Sequence, residues 1–92
     1  MEKDWKKIVY TLAASESGDG LLGGKTSLNK ALQATFTRRG LGREEKLRIL
    51  SEVFERSFST SLELTEAEAK AFLSVAYLQQ DMFNEEFWNS FS

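Results

Sequence analysis

The sequence predicts an all-α fold, a compact bundle of four to five helices. Three observations predict it. Apolar residues recur at three- and four-residue spacings along most of the 92 residues, and the breaks between these runs fall at polar caps and at Gly, in a chain with six Gly and no Pro. The clearest helix start is Leu64-Thr65-Glu66-Ala67-Glu68-Ala69, where Thr65 is placed to accept the backbone N–H of Glu68 while the Glu68 carboxylate reaches back to Thr65. Leu64 and Ala69 occupy the two staple positions of that capping box. Finally, the one alternating stretch, Phe58 to Leu64, has no second strand to pair with and therefore reads as an irregular connector.

One domain accounts for the chain: a helix over 1–16, a Gly-rich loop over 17–25, a helical core module over 26–78 and an acidic aromatic tail over 79–92. In the first helix Trp5, Ile8, Val9 and Leu12 share a face and Asp4 is the N-cap. The loop that follows is either a hinge or is pinned by Leu21 and Leu22, its only apolar anchor. Its run Gly23-Gly24-Lys25-Thr26-Ser27 invites comparison with a phosphate-binding loop, but that motif needs a Gly five residues before the second Gly, and position 19 is Asp. Thr26 or Ser27 reads instead as the cap of a helix over about 27–39, with Leu28, Ala31, Leu32, Thr35 and Phe36 inward and Lys30, Gln33, Thr37 and Arg38 outward. Arg38-Arg39-Gly40 closes it with cations at the carbonyl end and then a residue that accepts a left-handed conformation.

The third helix is expected from Arg43 to about Ser57, with Glu44 and Glu45 at its positive end. Its stripe of Leu47, Ile49, Leu50, Val53 and Phe54 is wide enough to face two neighbours, which makes it the expected central helix. Phe58, Leu62 and Leu64 should then drop into the core from the connector. The capped helix runs from Glu66 to about Leu78, with Ala69, Phe72, Leu73, Ala76 and Tyr77 on one face, its small residues allowing close approach to the third helix. Asp81 or Asn84 caps a last short helix in which Phe83, Phe87 and Phe91 recur beside Trp88.

Composition removes several functions. With no Cys and no His the chain lacks disulfides, thiolate sites, the commonest metal ligand and the usual general base, so no metal and no cofactor is expected. Glu52 with Glu55, or Glu66 with Glu68, are the available carboxylate pairs, yet both lie on solvated helix surface, and the chain is read as not an enzyme. No apolar run reaches the roughly 20 residues that cross a bilayer, and the N-terminal residues lack the order of a secretory signal, so no membrane partner and a cytoplasmic location are expected. The net charge of −2 conceals +5 over residues 25–48 and −6 over residues 49–92. These blocks either face each other or water across the bundle, or steer a partner.

The order Leu28, Leu32, Phe36, Arg39-Gly40-Leu41, then Arg43-Glu44-Glu45, Leu47, Leu50-Ser51, Arg56, Ser61 and the Leu64–Ala69 capping box resembles a small helical module of bacteriophage and prophage proteins, often C-terminal in single-strand annealing recombination proteins. The resemblance covers residues 28–78 and implies a non-catalytic accessory module in phage DNA metabolism. Another protein is then the expected partner, with nucleic acid and a second copy of this chain as alternatives. Phe83, Phe87, Trp88 and Phe91 are the partner-binding candidates, provided the tail is an exposed anchor; the other placement of the same rings is a lid folded back over the core. Lys25, Lys30, Arg38, Arg39, Arg43 and Lys46, continued by Arg48, are the nucleic-acid-binding candidates. A further alternative is an inhibitor of a host defence or nucleic-acid enzyme, an anti-CRISPR-like mimic presenting Glu63, Glu66, Glu68, Asp81, Glu85 and Glu86 in place of phosphates.

Overall fold

Helix α1 (Trp5–Ser15) begins where Asp4 accepts the backbone N–H of Lys7 at 3.1 Å, the cap its sequence announces. The computed structural model describes residues 4–16, 20–22, 26–79 and 82–91. Among these, α2 (Thr26–Arg38), α3 (Arg43–Phe54), α4 (Glu66–Ala76) and α5 (Glu85–Asn89) follow, with a 3-10 turn at Ser61–Glu63 and a small antiparallel pair of strands, β1 (Tyr77–Gln79) and β2 (Met82–Phe83). The fold is a small helical bundle, as expected.

Helix α2 includes both Thr26 and Ser27, the two residues offered as its cap, and the residue before them lies outside the described residues. Its other end closes as the sequence predicts: Gly40 takes φ +72°, and the N–H groups of Gly40 and Leu41 return to the carbonyls of Thr37 and Phe36, both at 3.0 Å. Helix α3 is shorter than expected. It stops at Phe54 because Glu55 adopts a left-handed conformation, φ +54°, a place where a side chain costs about 1–2 kcal/mol relative to Gly. The chain turned by Glu55 delivers Arg56 to α4, where its guanidinium grips both carboxylate oxygens of Glu68, one at 2.7 Å, and the Glu63 carbonyl at 3.2 Å.

The connector also differs. Thr60 and Glu63 form a second Thr-x-x-Glu box, with the Thr60 hydroxyl accepting from the N–H of Leu62 and the Glu63 carboxylate accepting from Ser59 and Thr60. That turn inverts the expected alternation, so that Ser61 is buried and Leu62 is exposed, while Leu64 is inside as predicted.

Helix α4, not α3, is central. It packs most extensively on α1, and also touches α2 and α5, whereas α3 packs chiefly on α1. Ala67, Ala69, Ala71 and Ala76 are all buried and fall on two sides of α4, so the helix is enclosed on more than one face by neighbours that its small residues let come close. Leu47 is consequently only half-buried, and α3 contributes Ile49, Leu50, Val53 and Phe54 to the core. Leu32 and Phe36 are buried; Trp5, Ile8, Leu12, Leu28, Leu73 and Tyr77 pack around the rim.

The entry of α4 is held from outside as well as by its own box. Thr65 and Glu68 exchange the two predicted hydrogen bonds at 2.9 and 3.1 Å. In addition, the Leu22 N–H donates to the Leu64 carbonyl and the Glu66 N–H to the Gly20 carbonyl. The Gly-rich stretch is thus pinned at 20–22, by Leu22, which is fully buried; Leu21 points outward.

Candidate interaction surface

The expected protein contact rests on the aromatic tail. Phe87 and Trp88 are 0% and 4% exposed, and Phe83 and Phe91 are half-buried against the core. The rings are a lid and not an exposed anchor. Polar chemistry explains why they fold inward: α4 ends with unpaired carbonyls, and the lid supplies their donors. The Asn84 side chain donates to the Val75 carbonyl at 3.0 Å, its backbone N–H to the Ala76 carbonyl at 2.7 Å, and the Trp88 indole N–H to that same carbonyl at 3.1 Å. Asn84 also caps α5 through the N–H of Phe87, as one of the two predicted caps; the other, Asp81, lies outside the described residues.

Arg39 belongs to this lid rather than to a basic face. Its guanidinium lies 5.3 Å from the ring centroids of both Phe83 and Trp88 and pairs with Glu85 at 2.8 Å. Arg48 is engaged by Glu52, one helical turn on, at 3.2 Å. Lys25 lies outside the described residues, and Arg38 is exposed on α2. Lys30, Arg43 and Lys46 remain, and they carry no ion pair among the described residues.

Arg43 and Lys46 line a cleft between the C-terminal half of α2 and the start of α3, and Lys30 lies on α2 three residues before Gln33, the first residue of that lining. The cleft encloses about 130 Å³ and is lined by Gln33, Phe36, Thr37, Leu41, Gly42, Arg43 and Lys46. Lys30, Gln33 and Thr37 are three and four residues apart on the exposed side of α2, which puts them in one row leading to the cleft. Arg43 is steadied by donating to the Ser59 carbonyl at 2.9 Å. The Lys46 ammonium is held below its ordinary pKa, by burial first and then by the neighbouring Arg43. Glu45 is the nearby carboxylate, and it is turned onto the Gly42 N–H. Gln33 and Thr37 carry no functional signal of their own in the sequence; only their spacing from Lys30 places them here.

Two other clefts mix charges. One of about 330 Å³ has Asp4 and Glu55 beside Lys6 and Lys7; one of about 430 Å³, on the outer side of α3, has Glu44 beside Arg48. No group of three Asp, Glu, His or Cys among the described residues is placed to hold a metal ion, and no helix among them is long and apolar enough to cross a membrane.

The carboxylates offered as phosphate mimics are largely engaged inside the molecule. Glu63 caps the 3-10 turn, Glu68 holds Arg56, and Glu85 holds Arg39. Burial raises the Glu68 pKa, but Arg56, the Thr65 N–H and the Thr65 hydroxyl together outweigh it, and the net displacement is downward. Its carboxylate therefore contributes stability that is fully present above the unfolded glutamate value, about 4.3, and is lost as pH falls through the lower folded value. Acid titration of unfolding stability should show a fall below about pH 4.3 that is shallower in Glu68→Gln. Identical acid limbs for the two proteins would remove the Arg56–Glu68 pair from the account of stability.

No protein-family model, no curated protein and no solved structure matches this chain.

Proposed function

We propose that this chain is a non-catalytic binding module of phage DNA metabolism that holds nucleic acid by its phosphates along the α2–α3 face. The resemblance of residues 28–78 supplies the setting. One observation supports the surface: the cleft there is lined by Arg43 and Lys46 with no carboxylate among its lining residues, whereas two other clefts among the described residues carry both signs of charge. The acidic remainder of the chain favours this orientation, since a polyanion is repelled from the −6 segment and drawn to the +5 segment. A protein contact through the aromatic tail has lost its surface, because Phe87 and Trp88 are inside.

Fluorescence anisotropy of a labelled single-stranded oligonucleotide, titrated at several salt concentrations, tests the reading. Three phosphate contacts, from Lys30, Arg43 and Lys46, give a slope of log affinity against log salt of about −2, at roughly −0.7 per contact. Lys30→Ala and Lys46→Ala should each weaken binding for every sequence alike and make the slope shallower by about one contact. Absence of binding at low salt, or binding that does not change with salt, overturns it.

A further inference from the structure

We infer that the α2–α3 cleft takes a terminal phosphomonoester, so that the module engages the phosphate-bearing end of a nucleic-acid strand and not only its backbone. The inference rests on the nucleic-acid reading above and specifies which phosphate occupies the cleft. Size decides part of it. The cleft is small, about 130 Å³, and open to solvent on one side, so a phosphoryl group can enter it while the rest of the strand stays outside. Aromatic stacking gives no alternative use for the cleft, because Phe36, the one ring lining it, is 2% exposed and already stacked on Phe72.

The lining chemistry decides the rest. The polar side chains are Gln33, Thr37, Arg43 and Lys46, which offer an amide, a hydroxyl, a guanidinium and an ammonium. All four donate hydrogen bonds, and two carry positive charge. A backbone diester has one negative charge and two free oxygens, whereas a monoester is close to dianionic at neutral pH and has three. Two cations one helical turn apart, with no carboxylate shared between them, match the dianion. The start of α3 is not what carries the inference, since Glu45 already occupies the Gly42 N–H. The Leu41 side chain forms an apolar wall and is half-buried, which suits the adjoining sugar.

The test compares two single-stranded oligonucleotides of one sequence, labelled at the 3′ end, one with a 5′-phosphate and one with a 5′-hydroxyl, by anisotropy with the full chain. The phosphorylated strand should bind about tenfold tighter, the worth of one added charge-assisted hydrogen bond. In Lys46→Gln and in Thr37→Val the ratio should fall toward one, while the 5′-hydroxyl strand keeps a salt-dependent affinity through Lys30 and Arg43. Thr37 is exposed, so its substitution leaves the core intact. Equal binding of the two strands, with a steep salt dependence for both, overturns the end preference and leaves the nucleic-acid reading standing. Binding of neither strand at low salt overturns both. Capture of a phosphoserine peptide more tightly than the phosphorylated strand also overturns the inference, by assigning the cleft to a protein partner.

Discussion

Phe72→Ala is expected to destabilise the fold by about 3–5 kcal/mol, measured as a shift of the urea unfolding midpoint with unchanged slope. The ring is fully buried at the middle of α4 and touches three others, with centroids 5.4 Å from Phe36, 5.4 Å from Phe87 and 5.9 Å from Trp88. Removing it takes away the apolar area of the side chain and leaves a cavity whose walls are held by helices on several sides. Total stabilities run to about 5–15 kcal/mol, so the variant should retain little of it. For a domain of this size the melting temperature falls by roughly 4–8 °C per kcal/mol, so a drop of about 12 °C or more is expected. A loss below about 1 kcal/mol would mean that the aromatic cluster is not the centre of the core.

Trp88→Ala should cost a similar amount, about 3–5 kcal/mol, for a divided reason. The indole is 4% exposed, meets Phe36 and Phe83 edge to face at 5.7 and 5.8 Å, and carries the Arg39 guanidinium on its ring. It also supplies a donor to the last carbonyl of α4. Trp88→Phe separates the two contributions: it keeps most of the packing and loses the indole N–H, and should cost about 1–3 kcal/mol. If both variants unfold at the midpoint of the parent, the lid lies open in solution. The tail would then regain its claim as a contact surface.

Features set by a few neighbouring residues were legible in the sequence. Asp4, Asn84, the Thr65–Glu68 box and Gly40 all act where their types and spacings place them, because capping and left-handed closure are decided within one helical turn. The Thr60–Glu63 box was equally legible by its spacing, but the alternating Phe58, Leu62 and Leu64 pointed to an extended chain, and the stronger local bond won. The end of α3 was not legible, since Glu55 is not a residue that marks a left-handed turn; the position is held by Arg56 reaching a carboxylate twelve residues on. Nor was the strand pair. Tyr77 and Phe83 stack at 5.2 Å across it, and the Tyr77 hydroxyl meets the buried Thr35 at 2.8 Å, contacts that depend on where α2 already lies.

The same limit governed the site. Residue type identified the basic segment but not which cations were uncommitted: Arg39 reads like its neighbours until Glu85, Phe83 and Trp88 are found around it. Charge on the page of a sequence is gross charge, and only packing shows what is left over for a partner.

The edge-to-face meeting of Trp5 and Phe87, 6.3 Å between ring centroids, together with Lys6 over the Phe91 ring at 5.9 Å, joins parts of the chain that are almost its full length apart. Local helix formation is fast, but closing so long a loop has to precede the reward of these contacts. The bundle is therefore a fold of local elements whose completion is non-local. Its folding rate should answer more to the search that brings first helix and last ring together than to the propensities of the helices themselves.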